Sequence, residues 1–129
     1  MRHRVYGRGL GRDKNQRKAL FKSLISSLLI SETIDTTEGK AKSVKGLIDK
    51  IINQAKNPST KRLVSQFLIN KNITEKLFKD LVPRLGKRNS GYTSLVRIGK
   101  RLGDGASMVR MSLLLENHNK DKKEKNTQK

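Results

Sequence analysis

Apolar residues recur along this chain with two different periods. Leu20, Phe21, Leu24, Ile25, Leu28 and Leu29 fall at helical spacing, so they form one apolar stripe on a helix. Asp13, followed three residues later by Gln16, has the capping-box signature of a helix start. The β-branched stretch Ser31–Thr36, with Ile34 inside it, predicts a short strand. Ala41, Val44, Ile48, Ile51, Ile52 and Ala55 then give a second helical repeat ending near Asn57. Thr36 or Thr37 is placed to cap it, and Glu38 suits its first turn. Lys42, Lys45 and Asp49 lie on its polar side. Pro58 suits the first position of a third helix, whose apolar residues are Leu63, Val64, Phe67 and Leu68. Asn72 and Glu75 box a fourth helix through Leu77, Phe78 and Leu81, which Pro83 stops.

After a basic loop around Gly86, the period changes to two. In Tyr92–Lys100, Val96 and Ile98 share a face and Arg97 lies opposite. In Met108–Glu116, Val109, Met111, Leu113 and Leu115 share a face opposite Arg110. The turn-rich Leu102–Ala106 joins them, so a hairpin with one face on the helices is expected. These elements predict an α+β fold in two layers, in the order helix, strand, three helices, two strands. A small three-stranded mixed sheet packs on the helices, with the strand order left open. Residues 1–12 hold Gly7, Gly9 and Gly11 and almost no apolar periodicity, which predicts an extended basic N-terminal arm that is disordered alone. Residues 117–129 hold five lysines and no apolar residue, which predicts a disordered tail. The single globular domain is then 13–116.

Charge sharpens this picture. The 129 residues carry 30 Lys and Arg against 11 Asp and Glu, a formal net charge of +19. Only 33% are apolar, enough for one small core. A two-domain enzyme with a buried cleft is excluded by size. No run reaches the roughly 20 apolar residues of a membrane span, and no apolar segment follows the basic start as in a secretory signal. The expected compartment is the cytosol. With no cysteine, there are no disulfides, thiolate nucleophiles or thiolate metal ligands. A charge this large on so small a body calls for a polyanionic partner, and nucleic-acid phosphate is the first candidate. A membrane surface is the main competing polyanion.

The basic residues are unevenly placed. Residues 1–22 hold Arg2, Arg4, Arg8, Arg12, Lys14, Arg17, Lys18 and Lys22 against one acid, Asp13, whereas residues 23–39 hold three acids and no base. Lys14, Lys18 and Lys22 step by four along one side of the first helix, with Arg17 beside them. Spacing alone leaves two readings of that row open, a phosphate-facing side or a solvated one.

Catalytic chemistry finds little support. His3 and His118 fall in the expected arm and tail, where a general base lacks fixed geometry. No serine has a positioned histidine partner, and no carboxylate cluster has metal-ligand spacing. Gly7-Arg8-Gly9-Leu10-Gly11 precedes a helix but lacks the strand and the Lys-Ser/Thr end of a nucleotide loop. Its backbone amides, like those opening the first helix, suit RNA phosphates. No aromatic signature of an RNA-recognition motif is present. A duplex-DNA binder would need a recognition helix or a minor-groove device, and neither is evident.

Met1-Arg2-His3-Arg4, Gly7-Arg8, Leu10-Gly11-Arg12 and Arg17-Lys18-Ala19-Leu20 together resemble the opening of the bacterial large-subunit ribosomal protein L17 family. The likeness continues through Ser27-Leu28-Leu29, Glu32-Thr33-Ile34, Thr36-Thr37, Lys40-Ala41-Lys42 and Gly91-Tyr92-Thr93, covering roughly residues 1–116. The family usually carries a Lys-Ser pair where Val5 and Tyr6 stand, and a His where Gln16 stands. The resemblance implies the same two-layer topology and a non-catalytic structural protein of the large ribosomal subunit. It implies binding to folded large-subunit rRNA near the polypeptide exit tunnel, beside neighbouring ribosomal proteins, with no membrane, small-molecule substrate, metal or cofactor. Under it the first contact residues are Arg2, His3, Arg4, Arg8 and Arg12, then Lys14, Arg17, Lys18 and Lys22. Lys40, Lys42, Arg97, Lys100 and Arg101 follow.

Overall fold

A computed structural model describes residue 3 and residues 7–116 of the chain. Arg2 and Arg4 of the expected arm, and the whole expected tail from 117, lie outside the described residues. The elements run α1 (Lys14–Ser31), β1 (Thr33–Thr37), α2 (Glu38–Lys56), α3 (Lys61–Phe67), α4 (Lys71–Lys76), β2 (Thr93–Lys100) and β3 (Ser107–Leu113). A 3-10 turn, Pro58–Thr60, leads into α3.

The apolar stripes of α1 and α2 meet in the core. Ile25, Leu28 and Leu29 of α1 are buried, as are Ala41, Val44, Ile48, Ile51, Ile52 and Ala55 of α2. Phe21 and Leu24 pack against them from the side. Gln16 Oε1 accepts the Asp13 N–H at 3.3 Å, one half of the reciprocal bonding of a capping box. Helix α1 ends at Glu32, which takes a left-handed conformation at φ 62°, an uncommon one for a residue other than glycine. Its carboxylate is gripped by Arg84 at 2.8 Å. Thr37 occupies the N-cap position of α2 without donating or accepting a side-chain cap bond.

Three local expectations are corrected. Asn70, not Asn72, caps α4, its side chain accepting the Asn72 N–H at 3.0 Å. Pro83 does not stop that helix. The chain widens into a π-helical stretch, Leu77–Leu81, and closes with a last turn, Val82–Arg84. The Val82 N–H reaches back five residues to the Leu77 carbonyl. Widening the turn just ahead of a proline lets the helix absorb a residue that brings no amide donor. Leu63 is not a core residue. It is 44% exposed, while Val64 and Leu68 of the same stretch are buried.

The sheet is antiparallel throughout, not mixed, with order β1-β3-β2. The reason is directional. The helical excursion from α2 to Arg84 returns the chain so that β2 runs the same way as β1. The hairpin then reverses into β3, which inserts between them and runs against both. Val109, Met111 and Leu113 of β3 point to the helices and are buried. Val96 pairs with Arg110, so it lies on the opposite, outer face. Val96 and Ile98 are more than half exposed, which corrects the expectation that their face packs on the helices. Thr93 and Leu95 occupy the inner side instead. A β-bulge between Arg97 and Gly99 shifts the register, and Gly99 takes φ 144° there, a conformation open to glycine.

Tyr92, fully buried, fixes the loop before β2 to the end of α2. Its hydroxyl lies against Asn53 Oδ1 and donates to the Arg88 carbonyl. Asp49 accepts the Gly91 and Tyr92 N–H groups at 3.2 Å. Lys56 donates to the Gly86 and Arg88 carbonyls and sits 4.6 Å from the Tyr92 ring centroid. The polar residues of α2's last turns are therefore structural ties.

Candidate nucleic-acid interface

Helix α1 carries no acidic residue between Lys14 and Ser31. Its basic row therefore has no neutralising partner on its own element. Lys14 and Lys18 are exposed, and Arg17 and Lys22 are half-buried. Among the described residues, no ion pair reaches Arg8, Arg12, Lys14, Arg17, Lys18, Lys22, Lys40 or Lys100. Residues 8–12 lie against the start of this helix. Arg17 Nη1 donates to the Arg8 carbonyl at 3.5 Å, Arg12 Nη1 to the Leu10 carbonyl at 2.9 Å, and the Arg12 N–H to the Gly9 carbonyl at 3.1 Å. Arg8 leans over Gly39 at the start of α2. With Gly7, Lys42 and Ser43 it lines an open cleft of about 210 Å³. His3 is exposed. The structure thus brings Arg8, Arg12, Lys14, Arg17, Lys18 and Lys22 into one continuous cationic surface, with Lys42 at its margin.

The other basic candidates are placed differently. Glu38 pairs with Lys42 at 2.6 Å and with Arg97 at 3.3 Å. The Lys42 bond, then the Arg97 guanidinium, hold its carboxyl below the ordinary glutamate range. Arg97 and Lys100 line a second cleft, about 300 Å³, with Glu38, Gly99, Ser107 and Met108. At the hairpin tip Arg101 grips Asp104 through two bonds, at 3.0 and 2.5 Å. That grip, helped by the Ala106 N–H, lowers the Asp104 carboxyl to about 2. Arg110 forms a two-bond pair with Asp35 across the outer sheet face, both at 2.8 Å, and holds that carboxyl low. Arg84 is shared between Glu32 and Asp80. Arg97 and Arg101 therefore already carry counter-charges, from Glu38 and Asp104.

One feature of the surface was not signalled by the sequence. An open groove of about 330 Å³ runs between α1 and α3, lined by Lys18, Lys22, Leu63, Gln66 and Phe67. Lys22 Nζ lies 5.7 Å from the Phe67 ring centroid. Phe67 reads as a core residue from its spacing, and it does pack against the core, half-buried, with one side left on the groove. No group of three His, Cys, Asp or Glu residues capable of holding a metal occurs among the described residues. No helix among them is long and apolar enough to cross a membrane.

Fold and surface together define a small α+β protein in which most of the described acids pair with bases away from α1, while that helix presents cations without ion-pair partners. The chain belongs to the ribosomal protein L17 family, whose model matches residues 20–114. It is 42% identical over 108 residues to the large ribosomal subunit protein bL17 of Thermodesulfovibrio yellowstonii, covering 82% of this chain and 81% of that one. The bL17 protein of Carboxydothermus hydrogenoformans is 42% identical over 112 residues, covering 85% of this chain and all of its own. That of Pelobacter propionicus is 36% identical over 118 residues, covering 90% and 93%. The family is one of structural ribosomal proteins and not of enzymes.

Proposed function

We propose that the chain is a structural component of the large ribosomal subunit in the cytoplasm, where it binds folded large-subunit rRNA near the polypeptide exit tunnel. The observation that carries this reading is the α1 row with the adjoining residues 8–12, a cationic surface whose one acid is the N-cap Asp13 and whose bases form no ion pair among the described residues. Phosphates meeting Arg8, Arg12, Lys14, Arg17, Lys18 and Lys22 release their counterions, which drives association. Arginine adds planar, forked donors and a face that stacks on bases. Arg2, His3 and Arg4 add further cationic groups for phosphate contact. Lys40, Lys42, Lys100, Arg97 and Arg101 contribute at the margins, and neighbouring ribosomal proteins cover other faces. The relatives bear the name of large-subunit proteins, and the similarity spans most of both chains.

The test is sedimentation of the protein from a cell lysate with and without ribonuclease. The reading expects it with the large subunit and released by ribonuclease. Removing residues 1–12 should leave a folded chain that incorporates poorly. Migration as a free monomer, with DNA or with membranes contradicts the reading, and so does normal incorporation of the truncated chain.

A further inference from the structure

The groove between α1 and α3 has the composition of a nucleobase site. Its apolar floor is the ring of Phe67 and the exposed side chain of Leu63. Gln66 supplies an amide, which both donates and accepts hydrogen bonds and so matches the polar edge of a base. Lys18 and Lys22 form one wall. They stand a single helical turn apart, with Cβ atoms about 5–6 Å from each other, and so reach successive phosphates of one strand. Among the described residues, no acidic side chain lines the groove. Its volume of about 330 Å³ falls within the roughly 300–1,000 Å³ of small-ligand sites.

Position matters as much as composition. Lys14, Lys18 and Lys22 lead along α1 directly into the groove, so a strand held on the cationic face arrives there with its phosphates already in register. The Phe67 ring already takes a π-contact from Lys22, whose Nζ lies 5.7 Å from its centroid, and an arriving base displaces that flexible ammonium onto its own phosphate. A base uses the same ring by stacking, which tolerates any base identity.

We infer that this groove receives one unstacked nucleotide of the bound rRNA. Its base stacks on Phe67 against Leu63, Gln66 bonds its edge, and Lys18 and Lys22 hold the flanking phosphates. The inference rests on the rRNA-binding reading above and adds to it a specific contact that charge alone does not supply.

The test is a binding series with the full chain and large-subunit rRNA transcript at several salt concentrations. Phe67→Leu keeps an apolar residue but removes the stacking plane, and should weaken binding about fivefold with an unchanged salt slope. Phe67→Tyr should bind like the unaltered protein. Leu63→Glu changes an exposed position, leaves thermal unfolding in place, and puts a carboxylate in the groove. It should weaken binding at least tenfold. Should Phe67→Leu and Leu63→Glu both bind within twofold of the unaltered chain, or Phe67→Tyr fail to restore binding, the groove is not a base site. Replacing Lys14 and Arg17 by Ala separates the two readings. Loss of binding there with silent groove variants removes only the groove. Failure of the unaltered chain to bind removes both.

Discussion

The α1 face and the sheet with its hairpin tip hold the same kinds of residue and use them in opposite ways. On the sheet, Arg110 is gripped by Asp35, Arg97 by Glu38, and Arg101 by Asp104. On α1, Lys14, Arg17, Lys18 and Lys22 form no ion pair among the described residues. The difference teaches that the distribution of acids, not of bases, sorts cations into structural and available ones. A paired guanidinium has its donors engaged, and an incoming phosphate must compete with a carboxylate already in place. An unpaired lysine row loses only solvent and counterions when phosphate arrives.

That contrast can be broken most forcefully by removing charge on each side in turn. Replacing Lys14, Arg17, Lys18 and Lys22 together by Ala should weaken rRNA binding by about two orders of magnitude or more at physiological salt. The log–log salt slope should shrink by about three to four, near one per lost phosphate contact. Replacing Arg97, Arg101 and Arg110 by Ala should cost only a few-fold. Filter binding across a salt series measures both, and equal losses would erase the distinction.

Stability should show the inverse pattern. Arg84 bridges Glu32, in its left-handed cap position, and Asp80. Arg84→Ala should destabilise the fold by about 1–2 kcal/mol, the range of charge-assisted hydrogen bonds discounted for partial exposure. Lys18→Ala should change stability by less than about 0.5 kcal/mol, as exposed substitutions do. Denaturant unfolding of the two variants side by side decides the matter.

A smaller effect sharpens the role of the acids. Glu38→Gln releases both Lys42 and Arg97. It should tighten rRNA binding about two- to threefold and steepen the salt slope by about one or less.

The smallest effect is in pH. Asp35, Glu38 and Asp104 have carboxyls lowered by their basic partners, so the folded state holds their protons less tightly than the unfolded one. Their stabilisation is complete above the ordinary carboxylate range and is lost as pH falls through the lowered values, for Asp104 not until about 2. Stability should therefore hold from neutrality to about pH 5 and decline below about 4.5. Asp104→Asn should make that decline shallower, which unfolding curves at a few acidic pH values will show.

How much of this was legible beforehand follows from the range of each interaction. Helices α1 and α2 rest on repeats within one element, and every residue of α2's apolar stripe, Ala41 to Ala55, is buried. The cationic row of α1 was equally legible as a row. Its lack of partners was not, because pairing joins residues far apart in the chain, such as Arg110 with Asp35. The outward turn of Val96 and Ile98 depends on the register against β3, which no local alternation specifies. Pro83 reads as a stop, yet a π-helical stretch ahead of it carries the helix on. The groove at Phe67 exists only once α1 and α3 are side by side.

On this reading α1, and not the sheet, faces the RNA. Amine acylation of the lysines, read by mass spectrometry, tests it directly when the free protein is compared with the intact large subunit. Lys14, Lys18 and Lys22 should be strongly protected in the subunit, while Lys79, paired with Glu75 one turn back on its own helical stretch, should keep more of its reactivity. Equal labelling of the α1 lysines in the free and assembled protein would contradict it.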